Sequence, residues 1–355
     1  MVGAEVLDMD ESRIVVGVDG SAQSMHALDW AVQEATARGV GLTLVCAYSV
    51  PSFSAASLDG GFAALDDTAI RVGAQQVLAD AAARVPSSGP AVTTRLAVGD
   101  AAGVLVDASH GAELVVVGTR GRGGFAGRLL GTVSSALPAH AACPTVVVPL
   151  RRPGTADRAP TGPASTSTAS TSTASASTAS TSTASTSTAQ RDGTAPVERI
   201  VVGVDGSPSS QVALRHAVDE ARMWKAELVA VAAVPVARAT GVLVWLPTAV
   251  DTQQVLREHE KATTALVERV AGDLKVRSVV LDGTGAELLV EFSATADLVV
   301  VGSRGRGGFA GLLLGSTSQA VLHHSACAVM VVTGSAAHHR PAAEAHGTAA
   351  EVPAA

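Results

Sequence analysis

The first 150 residues contain no lysine. That absence removes the phosphate-binding loop G-x4-G-K-[ST], whose lysine holds the nucleotide phosphates. A basic surface is missing as well. The formal net charge is −7, and the same 150 residues carry 8 arginines against 14 acidic groups, whereas a nucleic-acid interface needs a positive face. Cysteine is scarce, with Cys46, Cys143 and Cys327 each in or beside an apolar run and no CxxC spacing among them. This excludes a zinc ribbon or dithiol motif and reads as buried, inert thiols in a reducing compartment. No apolar run approaches the roughly 18–20 residues of a membrane span. The start, MVGAEVLDMDESR, lacks the basic and then apolar regions of a secretion signal. The expectation is a soluble, cytoplasmic protein with no nucleic-acid or membrane partner. Aromatics are only 3%, which leaves valine, leucine and alanine to fill the core.

What the chain does contain, it says twice. RIVVGVDGS at Arg13–Ser21 returns unchanged at Arg199–Ser207. LVVVGTRGRGGFAGRLLGT at Leu114–Thr132 returns as LVVVGSRGRGGFAGLLLGS at Leu298–Ser316. A repeat on this scale dictates the domain organisation. Between the copies runs a Ser/Thr/Ala tract without large apolar side chains, which cannot bury enough surface to offset its ordering entropy. As a flexible coil it spans roughly 35–40 Å. The expected layout is a flexible N-terminus at 1–12, a first domain at 13–150 and a disordered linker at 151–196. A second domain at 197–334 and a disordered tail at 335–355 follow.

Within each copy, short apolar strands alternate with helical patterns. Ile14–Val18 is followed by Ser21 as a helix cap, with Leu28, Ala31, Val32 and Ala35 as an apolar stripe. The second copy places Ser207 before Pro208, a favoured first helical residue. Further strands are expected at Leu42–Tyr48, Val92–Val98, Leu114–Val117 and Thr145–Val148, with helices around Asp67–Arg84, at Ala101–Ser109 and from Thr132. Strands that read as unbroken Val/Leu/Ile runs are covered on both faces. The fold class is therefore α/β, two tandem doubly wound domains, each a five-stranded parallel sheet with helices on both faces.

In such sheets ligands sit beyond the carboxyl ends of the strands, where strand order reverses. Asp19 and Asp205 follow the first strand of each copy, and the glycine segments follow the fourth. Glycines let successive backbone N–H groups converge on one anion, and the next helix adds its own free N–H groups. Hydroxyls at the helix start, on Thr132 and Ser134 or Ser316 and Ser318, add donors. A strand, a glycine-rich turn and a helix opening on Gly-Thr-Val-Ser together read as a phosphate cradle. Gly121–Ala126 also fits a relaxed GxGxxG/A, but a dinucleotide site needs that turn after the first strand. Asp19 either contributes to the ligand or caps the turn into the first helix. The arginines of the segment, Arg120, Arg122, Arg304 and Arg306, are phosphate donors or solvated cations. His140 and His324 fall near a helix C-terminus, where an imidazole is favourable. No histidine, cysteine and acid set has metal spacing.

Gly118-x2-Gly121-x9-Gly131-Thr132 and Gly302-x2-Gly305-x9-Gly315-Ser316 resemble the nucleotide-binding signature of the universal stress protein family, ATP-binding branch. With VGVDGS after the first strand and HAACPTVVVP at the last, the resemblance covers nearly all of both domains. It implies a tandem member with a fold like that of the adenine-nucleotide α-hydrolases. It implies ATP as ligand, with or without magnesium. Gly118, Gly121 and Gly124 would lie along ribose and phosphates, with Gly131, Thr132, Val133 and Ser134 closing on the phosphates. Gly17 and Asp19 would border the nucleoside, and the Ala47 backbone would meet the adenine edge. In the second copy the matching positions are Gly203, Asp205, Ala233, Gly302, Gly305, Gly308, Gly315, Ser316, Thr317 and Ser318. Arg128, either a donor for a terminal phosphate if the loop folds back or an exposed arginine that keeps the loop soluble, becomes Leu312 in the second copy, which loses one cation. The linker is longer than a compact tandem arrangement requires.

The copies share no general base or nucleophile pair near the cradle. The expected function is regulatory ATP binding, with slow hydrolysis at most and no catalytic residues. Two alternatives stay open: an ATP-cleaving or adenylyl-transferring enzyme of the same fold class, and a nucleotide-independent scaffold that dimerises through its last strands. Expected partners are an adenine nucleotide, a regulatory protein, and either the chain's own second domain or a second copy.

Overall fold

The computed structural model describes residues 13–49, 68–121, 130–150, 196–235, 252–305 and 313–334. The expected N-terminal segment, linker and tail fall outside the described residues, as do Gly124, Arg128, Gly308 and Leu312. The first unit runs β1 Arg13–Gly17, α1 Ala22–Arg38, β2 Gly41–Tyr48, α2 Thr68–Arg84, β3 Val92–Val98, α3 Ala101–Ala108, β4 Leu114–Gly118, α4 Thr132–His140 and β5 Thr145–Val148. The second repeats it as β6 Arg199–Gly203, α5 Pro208–Trp224, β7 Glu227–Val234, α6 Thr252–Ala271, β8 Val276–Asp282, α7 Gly285–Ser293, β9 Leu298–Gly302, α8 Ser316–His324 and β10 Ala328–Val332.

Local chemistry sets the helix ends. Ser21 caps α1 by accepting from Ser24 N at 3.2 Å, and Gly39 ends it in the left-handed region at φ 70°. In α5 the same roles fall to Ser207, accepting from Ser210 N at 3.2 Å, and Lys225 at φ 55°. A lysine there costs about 1 kcal/mol that glycine avoids.

Both half-sheets are parallel and doubly wound, as the repeat implies. Strand order is β3-β2-β1-β4-β5 in the first unit and β8-β7-β6-β9-β10 in the second. The two halves are one ten-stranded sheet. They join where β5 pairs antiparallel with β10, Val147 opposite Val329, Val146 opposite Met330 and Thr145 opposite Val331. The period of two sends alternate residues of each strand to opposite faces. One face carries Ile14, Val16, Leu42, Ile200, Val202, Leu298 and Met330 under α1, α2, α5 and α6. The other carries Val15, Val115, Val117, Val201, Val299 and Val301 under α3, α4, α7 and α8. Both layers run through the β5–β10 seam, so the units share their cores. All three cysteines are buried, and burial pushes the Cys143 thiol up to about 12. Among the described residues no helix is long and apolar enough to cross a membrane.

Two carboxylates are buried where α1 meets α5. Glu34 is fully buried and Glu220 is 3% exposed. Arg38 lies between them, giving Nε to Glu34 Oε1 at 2.8 Å and Nη2 to Glu220 Oε1. Trp224 Nε1 donates to Glu34 Oε2 at 3.0 Å, and Glu113 approaches Arg38 at 3.7 Å. Glu220 Oε2 has no hydrogen-bond partner among the described residues. Burial above all, with Glu34 and Asp219 adding to it against the pull of Arg38, holds the Glu220 carboxyl well above its ordinary 4.5. A raised native pKa means that the folded state holds the proton more tightly. That stabilisation is complete below the ordinary value and is lost as pH climbs through the raised one. Glu220→Gln, neutral at every pH, is expected to flatten this decline in urea midpoints as pH rises above the ordinary carboxylate range. An unchanged pH profile would show that Glu220 is ionised in the native fold.

Candidate functional site

Strand order turns round between β1 and β4, and between β6 and β9. The two polar segments of each repeat emerge side by side there. In the first unit the chain leaves β1 as Val18-Asp19-Gly20-Ser21, with Gly20 at φ 78°. That left-handed residue folds the aspartate back, so Asp19 Oδ1 accepts from Ser21 N at 3.0 Å and Ser21 Oγ at 2.6 Å. This is the turn-capping role open to an aspartate. Its other oxygen, Oδ2, lies over Gly121, where a Cβ would overlap it. Asp19 thus caps the turn with one oxygen and faces the glycine segment with the other. Asp205 repeats the arrangement, accepting from Ser207 N at 2.9 Å and facing Gly305, where a Cβ would stand 2.6 Å from Oδ2.

The glycine segment is closed at its base. Gly131 N donates to Thr119 O at 2.8 Å, and Gly315 N donates to Ser303 O at 2.8 Å. The buried Ser134 hydroxyl bolts this closure, donating to Thr119 O at 2.7 Å while accepting from Gly131 N at 3.0 Å. Ser318 reaches Ser303 O at 3.1 Å and Gly315 O at 2.9 Å. Ser134 and Ser318, expected as phosphate donors, direct their hydroxyl protons at backbone carbonyls. Thr132 is exposed and Val133 half-buried at the start of α4. The first intrahelical acceptor, Gly131 O, is taken by Ser135 N at 3.1 Å. Among the described residues the N–H groups of Thr132 and Val133 meet no backbone acceptor, as expected of a helix start. Ser316 and Thr317 stand equivalently at the start of α8.

The glycines divide into two kinds. Gly118 and Gly302 admit the backbone of the facing helix: a Cβ would stand 2.8 Å from Gln23 C and O, or 2.8 Å from Ser209 C. Gly17 and Gly203 admit Leu105 and Leu289, whose Cδ1 atoms lie 2.8 Å from the Cβ position. Packing thus accounts for Gly17 and Gly203, which the family resemblance places beside the nucleoside. Gly121 and Gly305 are the ones whose missing side chain leaves room beside a carboxylate. Ala47 and Ala233 lie two residues past Val45 and Val231, whose carbonyls accept Val18 N and Val204 N at 2.9 Å. The two-residue period points their backbone polar groups the same way, beyond the last residue of β1 or β6. An adenine edge could be read there by backbone alone.

His140 and His324 end α4 and α8, the favourable C-terminal position; burial and then His324 push the His323 pKa down. Among the described residues no group of three or more His, Cys, Asp or Glu could hold a metal ion.

The fold and this paired arrangement define a doubly wound α/β protein with a glycine cradle at each switch point. A family model described as the universal stress protein family matches residues 12–149 and again 196–333. A universal stress protein of Mycolicibacterium smegmatis is 34% identical over 338 residues, covering 91% of this chain and 97% of its own. One from Mycobacterium tuberculosis is 33% identical over 334 residues, with 90% and 96% covered. The crystal structure of a universal stress protein from Archaeoglobus fulgidus superposes with a TM-score of 0.59 at 18% identity, covering 91% of this chain and 99% of that one. The chain belongs to the universal stress protein family and contains two tandem copies of its domain.

Proposed function

We propose that each unit binds an adenine nucleotide, ATP in the first instance, and that the chain is a regulator whose nucleotide occupancy is read by a partner protein. The observation that carries this reading is the closed loop between β4 and α4. It brings the Asp19 carboxylate, the Gly121 backbone and the N–H groups at the start of α4 to one switch point. The residues fit the group they would hold. N–H donors at a helix start favour phosphates, a carboxylate suits ribose hydroxyls, and the Ala47 and Ala233 edges suit a base. A bound ATP would supply a polyanion with a transferable phosphoryl group; the chain would supply orientation.

Neither Ser134 nor Ser318 has an activating base among its partners. This supports binding over phosphoryl or adenylyl transfer. A nucleotide-independent scaffold is the second reading, favoured by the seam, where β5 and β10 bury their apolar side chains between the units. Equilibrium dialysis of the full chain with labelled ATP, followed by chromatography of the bound material, separates the readings. The expected result is two equivalents of intact ATP per chain. Adenosine diphosphate or adenylate accumulating over many turnovers would make the protein an enzyme. No retained nucleotide would leave the scaffold.

A further inference from the structure

The ladder at the seam does not by itself choose its partner. The repeat aligns Thr145, Val146 and Val147 with Val329, Met330 and Val331. The observed register therefore pairs each position with its own counterpart reflected about Val146 and Met330. The same antiparallel ladder can be drawn between two first units or between two second units. The facing side chains are short and almost all apolar, so they discriminate little. Beyond the ladder, the Thr333 hydroxyl donates to Ala141 O on one face, and on the other the charged contacts lie where α1 meets α5.

The repeat that superposes Asp19 on Asp205 superposes Glu34 on Glu220 and Arg38 on Trp224. The two carboxylates are thus one position seen twice, while the cation has a counterpart without charge. We propose that Glu34, Arg38, Glu220 and Trp224 form a pairing code by which the second unit accepts the first unit of its own chain and rejects another second unit. In the observed pairing one guanidinium serves both carboxylates, and the indole donates to Glu34. A second-with-second pairing would bring two Glu220 and two Trp224 together with no guanidinium between them. Two other cations near the end of α5 do not replace it. Arg222 is turned to Ala271 O and Asp273, at 2.8 and 2.7 Å, and Lys225 is exposed past the helix end. The counterpart of Glu113 is Asp297, one more acid. Without a guanidinium the two Glu220 carboxyls must each stay protonated or stand as unpaired buried charges, and in either case they lose the charge-assisted hydrogen bond that Arg38 gives. A first-with-first pairing would hold two arginines and two glutamates, so its charges balance. The second unit is the selective one.

The test uses the full-length chain with a protease site inserted between Ser165 and Thr188, cut after folding and analysed by sedimentation. The wild-type halves are expected to remain together as a first-with-second pair. Arg38→Trp turns the first unit's code into the second's and is expected to raise the dissociation constant between the halves about a hundredfold. The swap Arg38→Trp with Trp224→Arg returns one guanidinium to the same two carboxylates from the other side. Its dissociation constant is expected to fall back to within about tenfold of wild type. The proposal is overturned if Arg38→Trp leaves the halves associated as in wild type, or if the swap separates them as fully as the single variant. Should Arg38→Trp fail to fold, the swap alone decides, since only a code of this kind predicts that it folds and pairs.

Discussion

Gly118→Ala and Gly302→Ala are each expected to destabilise the protein by about 3 kcal/mol, the upper end for an overpacked interior. The added methyl would stand 2.8 Å from backbone atoms of Gln23 or Ser209. Those atoms belong to the first turn of α1 and α5, so they cannot rotate away as a side chain can. Either the helix start moves off the sheet or the strand end bends, and both disturb packed layers. Thermal unfolding should show a melting temperature about 10 °C lower. Gly73→Ala is the internal control. It lies in α2 with no atom within 4 Å of its Cβ position and should gain about 0.5–1 kcal/mol. If all three variants melt alike, the close approach of helix to strand end does not limit stability.

Gly121→Val combined with Gly305→Val should produce the converse: a fold that survives and a ligand that does not. Here the added atoms meet the ends of the Asp19 and Asp205 side chains, which can rotate as backbone cannot, at the cost of the turn caps they make to Ser21 and Ser207. Swinging them, and filling the space beside them, removes the carboxylate and the backbone approach that the proposed nucleotide site needs. Affinity for ATP, measured by calorimetry on the full chain, is expected to fall about a hundredfold or more, close to 3 kcal/mol. The melting temperature without ligand should move by no more than about 3 °C. Full ATP affinity in the double variant would remove the glycine segment from the site. Loss of the fold would put Gly121 in the same class as Gly118.

The pair of outcomes turns on something the sequence does not display: glycines three residues apart do different jobs. Gly118 and Gly121 look alike in LVVVGTRG, and only the course of α1 past one and of Asp19 past the other separates them. Much else is legible. Unbroken runs such as Leu114–Val117 announce a strand covered on both faces, and Ser21 and Ser207 announce helix starts, because those signals are local. The VDGS turn is legible as a turn, since a glycine between aspartate and serine points to a left-handed residue. The bolt made by Ser134 is harder to read, because a hydroxyl at a helix start serves a ligand or a carbonyl equally well by composition. Glu34 and Glu220 lie outside any periodicity rule. A carboxylate beside the apolar stripe of Leu28, Ala31 and Ala35 looks like solvent exposure until the other unit supplies its partners. The seam itself leaves no trace in TVVV, since a buried parallel strand and one shared with a neighbour use the same residues.

The antiparallel step at β5 and β10 has a geometric consequence. Every strand of the first unit points one way and every strand of the second points the other. β1 and β6 have four strands between them, so at about 4.8 Å per strand the two switch points stand roughly 24 Å apart across the sheet. Asp19 and Asp205 would therefore serve separate ligands. Among the described residues the links between the two switch points run through the shared strands, the α1–α5 contact and the Thr333 hydroxyl, which donates to Ala141 O.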